Sequence, residues 1–431
     1  FLTLVFVFMQ CLVALLCYIL SCYSVDIISF IAPGSVERVV YAAPMFKILI
    51  FFTLFMSMSS VLGGALQIVR VFSIGPLSQF FLNVALCCEY IFGIYLNLSI
   101  ITVCWMILLN GLIIFFMHYF LYLKNGFKFA LPTKNSFCML SFFLKRLFPV
   151  FFSAGTSEIN MMVDQAIASY LPAGSQSLLD CVSGFVRIPM QVIGSSFATV
   201  SAPQFAKISI RRPMRLSFYM LETLKLILWA SLVGCVFFYF FSKKILITIF
   251  LSDNFTMDHV VAGSTVLILL SPMILFAGFN RVILNAYYAN NMVLSSTLIT
   301  LACGIFNTVF NILLMADFKL NGIVFATVIA EAIRTLILLI YLKIETGIHI
   351  NIRHIVDFFF RCALQLFVFV FAFSYVYRYV KIFMENRLGD YYSLFNDSFL
   401  YWIVFGPIFI IFAALIFYTR RYFGIRLYYL K

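Results

Sequence analysis

Charge is what this 431-residue chain has least of. Only 10% of its residues are Asp, Glu, Lys or Arg, whereas 64% are hydrophobic. A soluble globular domain carries about 25% charged residues, and no water-soluble fold could hide so much apolar surface. The composition therefore predicts an all-α, polytopic integral membrane protein. Acids are the scarcer sign, 16 against 29 Lys and Arg, for a net charge of +13. Histidine is rarer still: His118, His259, His349 and His354 show no metal-ligand spacing. The 11 cysteines include no CxxC pair, and Cys87 and Cys88 fall side by side in one apolar segment, so they read as small hydrophobes. No GxxxxGK[ST] loop is present, which removes the P-loop nucleotide-driven classes and leaves an ion or the membrane potential as energy source. The chain opens Phe1-Leu2-Thr3, with neither Met nor a charged start; this does not read as a signal peptide, and the true start is expected to lie upstream.

Long apolar runs are present in abundance. Twelve segments have the roughly 20 apolar residues a bilayer crossing needs. They lie near 1–21, 45–68, 77–96, 99–122, 146–170, 177–202, 216–241, 259–288, 293–315, 321–342, 357–380 and 398–419. Turn signals such as Ala32-Pro33-Gly34-Ser35, Ile74-Gly75-Pro76 and Asn290-Asn291 separate them. In an alternating topology the basic residues fall on one side: Lys124, Lys128, Lys134, Lys145 and Arg146; Lys207, Arg211, Arg212 and Arg215; Lys343 and Arg353; Arg420, Arg421, Arg426 and Lys431. By the positive-inside rule that side, with the C-terminus, is cytoplasmic. The positive charge thus needs no nucleic acid to explain it.

The stretch from Lys145 to Pro203 breaks the apolar rule. One membrane-length segment holds Glu158, Asn160 and Asp164; after Leu171-Pro172-Ala173-Gly174-Ser175, a second holds Asp180 and Arg187, with Pro189 and Gly194 inside it. Ionisable groups in hydrocarbon are costly unless they face a partner or a wet cavity. Pro189 removes a backbone donor two residues after Arg187, opening carbonyls toward such a cavity. Arg187 then has two readings: a bidentate phosphate fork, or an ion pair with Asp180 or Glu158 inside the bundle. Glu222 with Lys225, and Glu331 with Arg334, are spaced i,i+3 and predict local structural pairs. Gln67-Ile68-Val69-Arg70 and Asn280-Arg281-Val282-Ile283 echo each other ahead of short breaks, which marks Arg70 and Arg281 for cytoplasmic-side substrate or gate contacts.

The run Ile159-Asn160-Met161-Met162-Val163-Asp164-Gln165-Ala166-Ile167-Ala168-Ser169-Tyr170-Leu171-Pro172-Ala173-Gly174-Ser175 resembles the seventh-helix signature of the MurJ/MviN lipid II flippases. Ile188-Pro189-Met190-Gln191-Val192-Ile193-Gly194, continuing through Ala198-Thr199-Val200 to Pro203, is similar to the family's eighth helix, and weaker similarity covers most of the chain. The resemblance implies a MOP-type bundle of two lobes around a central cavity, divided here as 1–138, 139–346 and a C-terminal helix pair with basic tail, 347–431. Phe1 falls near the third of the family's fourteen helices, so two helices bearing essential basic residues are expected upstream.

It also implies flipping of lipid II, the undecaprenyl-pyrophosphate-linked peptidoglycan precursor, by a monomer in the bacterial inner membrane, without covalent catalysis. Substrate contacts are expected from Arg187, Arg70, Arg281, Glu158 and Asp180. The family's basic residue falls one turn earlier, where this chain has Gly184; Arg187 at i+3 points to nearly the same face. A Na⁺ site is implied at Asp164, Asn307, Asn311 and Thr327, whose hard oxygens suit a small cation. The family has an acid at the Asn311 position, so less charge is expected here, and ordinary interhelical Asn hydrogen bonding is the other reading. The alternatives are an O-antigen-type polysaccharide flippase or drug exporter of the same superfamily, a flippase inactive without the two helices, and a membrane-embedded glycosyl or phospholipid transferase. The last would need a catalytic cluster, and the 381–397 loop offers only Glu385 and Asp390.

Overall fold

A computed structural model describes residues 1–33, 36–69, 71, 73–131, 133–172, 174–208, 213–253, 255–348 and 350–428. These fold as helices, with no strand beyond one isolated bridge between Ser252 and Phe255. Two compact units divide the chain, Phe1–Phe151 and Phe152–Lys431. The division falls inside one helix, and both C-terminal membrane helices belong to the second unit.

The first unit contains α1 (Leu2–Cys22), α2 (Ser24–Ile31), α3 (Val36–Leu49), α4 (Phe52–Ile68), α5 (Ile74–Tyr95), α6 (Ile100–Lys124) and the start of α7 (Lys134–Ala168). The short α2 and α3 occupy a stretch in which the sequence showed only a turn. There Pro33, together with the charged residues Asp26, Glu37 and Arg38, interrupts the apolar sequence, so the chain makes short helices rather than a clean pass. Helix α4 packs on α1 and α6, and α5 on α6. Leu62 and Ala65 of α4 bury against Tyr122 of α6. Phe127 stacks on Tyr122 at 4.8 Å, and the Ala130 amide donates to Thr3 Oγ1 at 3.1 Å, so the strongly basic loop after α6 is tied back to α1. Buried Asn110 of α6 donates to Glu89 of α5 at 2.8 Å.

The second unit continues through α8 (Ser175–Pro189), a π-helical segment (Met190–Ser195), α9 (Ser196–Ile208), α10 (Pro213–Phe250), α11 (Met257–Leu270), α12 (Met273–Ala289), α13 (Val293–Thr346), α14 (Ile352–Leu388), α15 (Tyr392–Asp397) and α16 (Leu400–Thr419). Each of the twelve apolar segments lies in this helical framework, but the 45–68 pass turns at Ile50-Phe51 between α3 and α4, two others are also interrupted, and two neighbouring ones merge into α13. The 177–202 pass is interrupted by the π segment that follows Pro189. The 259–288 pass bends at Ser271-Pro272 between α11 and α12. The 54 residues of α13 would span about 80 Å at 1.5 Å per residue, far beyond a 30 Å hydrocarbon core. Lys319, at φ 51° and ψ −128°, breaks α13 into two arms. The turn works because residue 322 is glycine: a Cβ there would collide with the carbonyl of Leu314. Among the described residues, nine helical stretches are long and apolar enough to cross a membrane.

Without water to drive apolar surfaces together, membrane helices associate by close packing at small residues. Gly194 and Gly278 do this here: a Cβ on Gly194 would stand 3.1 Å from the Cα of Gly278, so the π segment lies directly on α12. Two buried clusters result. One joins α8, α10 and α11 to the C-terminal helices through Val182, Phe241, Leu267, Phe373 and Phe405; the other joins α10 and α12 through Met220, Ile227, Ile283 and Tyr287.

Candidate functional site

The polar residues that the sequence leaves stranded in apolar helices converge within the second unit. A cavity of about 330 Å³ is lined from α7 by Asn160 and Asp164, from α8 by Asp180 and Arg187, and from α12 by Arg281. The two arms of α13 complete it, with Asn307 before the Lys319 break and Thr327, Glu331 and Arg334 after it.

Asp164 is the centre of one wall. Its Oδ1 accepts from Asn307 Nδ2 at 3.0 Å and from Asn311 Nδ2 at 2.5 Å, and its Oδ2 accepts from Thr327 Oγ1 at 3.2 Å. Asn307 and Asn311 are buried, and their i,i+4 spacing puts both amides on one face of the first arm. Thr327 shares its one hydroxyl proton between Asp164 and the Ile323 carbonyl at 2.9 Å, the usual back-bond of a helical threonine. One carboxylate thus ties α7 to both arms of α13. The amide oxygens Asn307 Oδ1 and Asn311 Oδ1 are buried, with no hydrogen-bond partner among the described residues. A 180° turn of each amide exchanges oxygen for nitrogen at almost no steric cost. Two further hard oxygens would then face Asp164, an arrangement stable only with a cation among them. The donor set therefore fits a small hard cation. Among the described residues, no cluster of His, Cys, Asp and Glu offers a softer or more acidic alternative.

Guanidinium groups also line the cavity. Arg187 reaches Asp180 Oδ1 at 3.3 Å and Met161 Sδ at 3.4 Å; Asp180 and Arg187 are seven residues apart, two turns on one helix face, and both side chains are exposed to the cavity. Arg281 is half-buried and bonds no carboxylate. It donates to the Met190 carbonyl and to Gln191 Oε1, both at 3.3 Å, in the π segment where the α-helical pattern lapses. Arg334 pairs with Glu331 at 3.1 Å, and Glu331 also accepts from Asn280 at 2.6 Å. Thr335 closes that network by donating to Asn280 Oδ1 at 2.9 Å. Both predicted i,i+3 pairs form, the second being Lys225 to Glu222 at 2.7 Å. Glu158 is exposed, does not line this cavity and makes no ion pair among the described residues. Arg70 lies outside the described residues.

The family described as "Lipid II flippase MurJ" matches residues 1–396. The chain belongs to the MurJ family. Curated relatives carry the name "Probable lipid II flippase MurJ". The one from Buchnera aphidicola subsp. Acyrthosiphon pisum is 26% identical over 78% of this chain, and the one from Rickettsia prowazekii 24% over 76%. The one from Buchnera aphidicola subsp. Baizongia pistaciae is 23% identical over 73% of this chain. In that order these alignments span 67%, 65% and 62% of the relatives' own lengths, so the chain spans about two thirds of the curated proteins it matches. Among solved structures, "Lipid II flippase MurJ, inward closed conformation" superposes with a TM-score of 0.75 at 21% identity, covering 98% of this chain and 84% of that one. An inward-facing multidrug resistance MATE transporter of the MOP superfamily follows at a TM-score of 0.66 and 13% identity, covering 78% of this chain and 79% of that one. The fold is thus that of a MOP-type helical membrane protein.

Sequence reasoning singled out most of the MurJ cavity but not all of it. Glu331 and Arg334 were read as a structural pair, yet both line the cavity. Asn160, which the sequence already marks as out of place in its apolar segment, lines it too, packed so tightly on Gly304 that a Cβ there would clash with its amide. Asn280 was passed over although it shares a buried network with Glu331 and Thr335. The available signal was the same as for Asp164: a strong polar group in the middle of an apolar helix.

Proposed function

We propose that the chain moves lipid II from the cytoplasmic to the outer leaflet of a bacterial cytoplasmic membrane by alternating access. Family membership across residues 1–396 is the observation that carries this reading. The MATE-like fold alone would allow a drug or polysaccharide exporter equally well. A pyrophosphate-linked glycolipid needs cationic groups inside a wet cavity, and Arg187 and Arg281 supply them. Arg187's partnership with Asp180 is solvent-exposed, hence worth at most about 1 kcal/mol, so phosphate oxygens can take over the guanidinium with better, bidentate geometry. Arg281 holds only neutral acceptors, so its charge is available to an anion without breaking an ion pair. Both side chains are anchored next to the broken helix at Pro189, the type of interruption at which transporters place substrate sites.

Na⁺ is the proposed coupling ion, held by Asp164, Asn307, Asn311 and Thr327; when bound it would supply a positive charge that both arms of α13 and α7 share. The protein works as a monomer, with its C-terminus in the cytoplasm, consistent with the distribution of Lys and Arg in the loops. The test is flipping of a fluorescent lipid II analogue in proteoliposomes, with a neutral polyprenyl glycan as control. Transport of lipid II and not of the control is expected. Equal transport of both would move the protein to the polysaccharide-exporter reading, and no transport of either would refute the assignment.

A further inference from the structure

A second groove, of about 540 Å³, opens between the end of α13 and the start of α14 and shares no lining residue with the transport cavity. Its floor is apolar, formed by Leu339, Ile340, Ile344, Ile350 and Ile352, and its polar residues are Lys343, Asn351 and Arg353. We propose that this groove binds one anionic phospholipid of the surrounding membrane, its phosphate between Lys343 and Arg353.

The charge pattern points to an anion. No acid lines the groove, and neither Lys343 nor Arg353 takes part in an ion pair among the described residues. Glu345 is close in sequence but lies outside the lining, about 200° around the helix from Lys343 by the 100° step of an α-helix. The α14 N-terminus adds its own positive end beside Arg353, whose amide is capped by Asn351 Oδ1 at 3.1 Å.

The apolar pattern points to a lipid rather than a free phosphate. On α13, Leu336, Ile340 and Ile344 are 51%, 54% and 71% exposed and repeat every four residues. On α14, Ile352, Val356 and Phe360 do the same at 49%, 45% and 65%. Two stripes of exposed apolar side chains therefore start at the two cations and run back along helices long enough to span the membrane. A headgroup at the cations lays its acyl chains along these stripes. The loop joining the helices is on the Lys- and Arg-rich face, where anionic headgroups attract juxtamembrane basic residues.

The experiment is competition binding on the purified full chain in nanodiscs, using labelled phosphatidylglycerol against phosphatidylcholine. Wild-type protein is expected to prefer phosphatidylglycerol by about 25-fold, from roughly fivefold for each of the two cations. The pair Lys343→Gln with Arg353→Gln should reduce that preference to below about twofold, while Lys343→Arg with Arg353→Lys keeps it and so controls for folding. A preference unchanged in the Gln pair, or absent from wild type, overturns the proposal. Displacement of the label by a polyprenyl pyrophosphate, but not by unlabelled phosphatidylglycerol, also overturns it, because the groove would then belong to the transported substrate. No outcome depends on flipping, so failure here leaves the transport reading standing, and failure of transport leaves this one.

Discussion

Asp164 accepts from two buried amides that have no other acceptor among the described residues. Truncation to Ala leaves the Nδ2 groups of Asn307 and Asn311 without that acceptor, whereas Thr327 keeps the Ile323 carbonyl. Each orphaned buried donor costs about 1–3 kcal/mol, so Asp164→Ala is expected to lose about 3 kcal/mol, read as a lower unfolding temperature in detergent. Asn311→Asp tests the cation. It sets a second carboxylate within hydrogen-bond distance of the first, with no donor between them, so repulsion destabilises the ion-free protein and a bound cation relieves it. The variant should melt below wild type in choline chloride and gain more than wild type from NaCl; a melting curve indifferent to Na⁺ would dismiss the cation reading. Asp164 was legible in the sequence because a lone acid in an apolar helix has to be explained. Asn280 with Glu331 was not, because the two stand 51 positions apart and nothing in either helix's periodicity states which helix it faces.

At the scale of elements, helices were legible and their interruptions only partly so. Composition and length suffice to detect an apolar rod, whereas a break depends on backbone contacts between residues the periodicity treats as equivalent. The α13 turn shows this, for Lys319 adopts a positive φ that lysine rarely favours, and the local sequence Phe318-Lys319-Leu320-Asn321-Gly322 carries only a glycine as warning. Gly322→Ala should force the arms apart at the Leu314 carbonyl and lower stability by about 1–3 kcal/mol, as overpacking does. Since Asn307 and Thr327 lie on different arms, the same variant should weaken Na⁺ binding, checked by ion titration of intrinsic fluorescence. Gly194→Leu drives a side chain into the α12 backbone at Gly278 and is expected to abolish monodisperse expression, whereas Gly184→Ala, with open space around its Cβ, should be neutral.

For the whole molecule, orientation is set by where Lys and Arg fall, and the reading commits to a cytoplasmic C-terminus. A green fluorescent protein fused after Lys431 is expected to fluoresce and an alkaline phosphatase fused there to be inactive; the reverse result would invert the transport direction. The architecture was legible to this extent because a bilayer imposes one length on every pass and one charge rule on every loop. The contacts divide the chain within α7, at 151–152, two residues past Pro149.

The π segment after Pro189 has a consequence for how the chain tolerates changes of length. A π turn is an α-helix carrying one residue more than its pitch absorbs, and here the surplus is taken up between Met190 and Ser195. Removing Val192 lets the pass close into regular α-helix while Ser201 and Phe205, four apart and both buried, keep their bearing. Removing Ser183 instead swings everything beyond it by about 100° and turns that face outward. A deletion scan along 176–206, scored by size-exclusion profile, should therefore show a tolerant window at 190–195 flanked by intolerance on both sides.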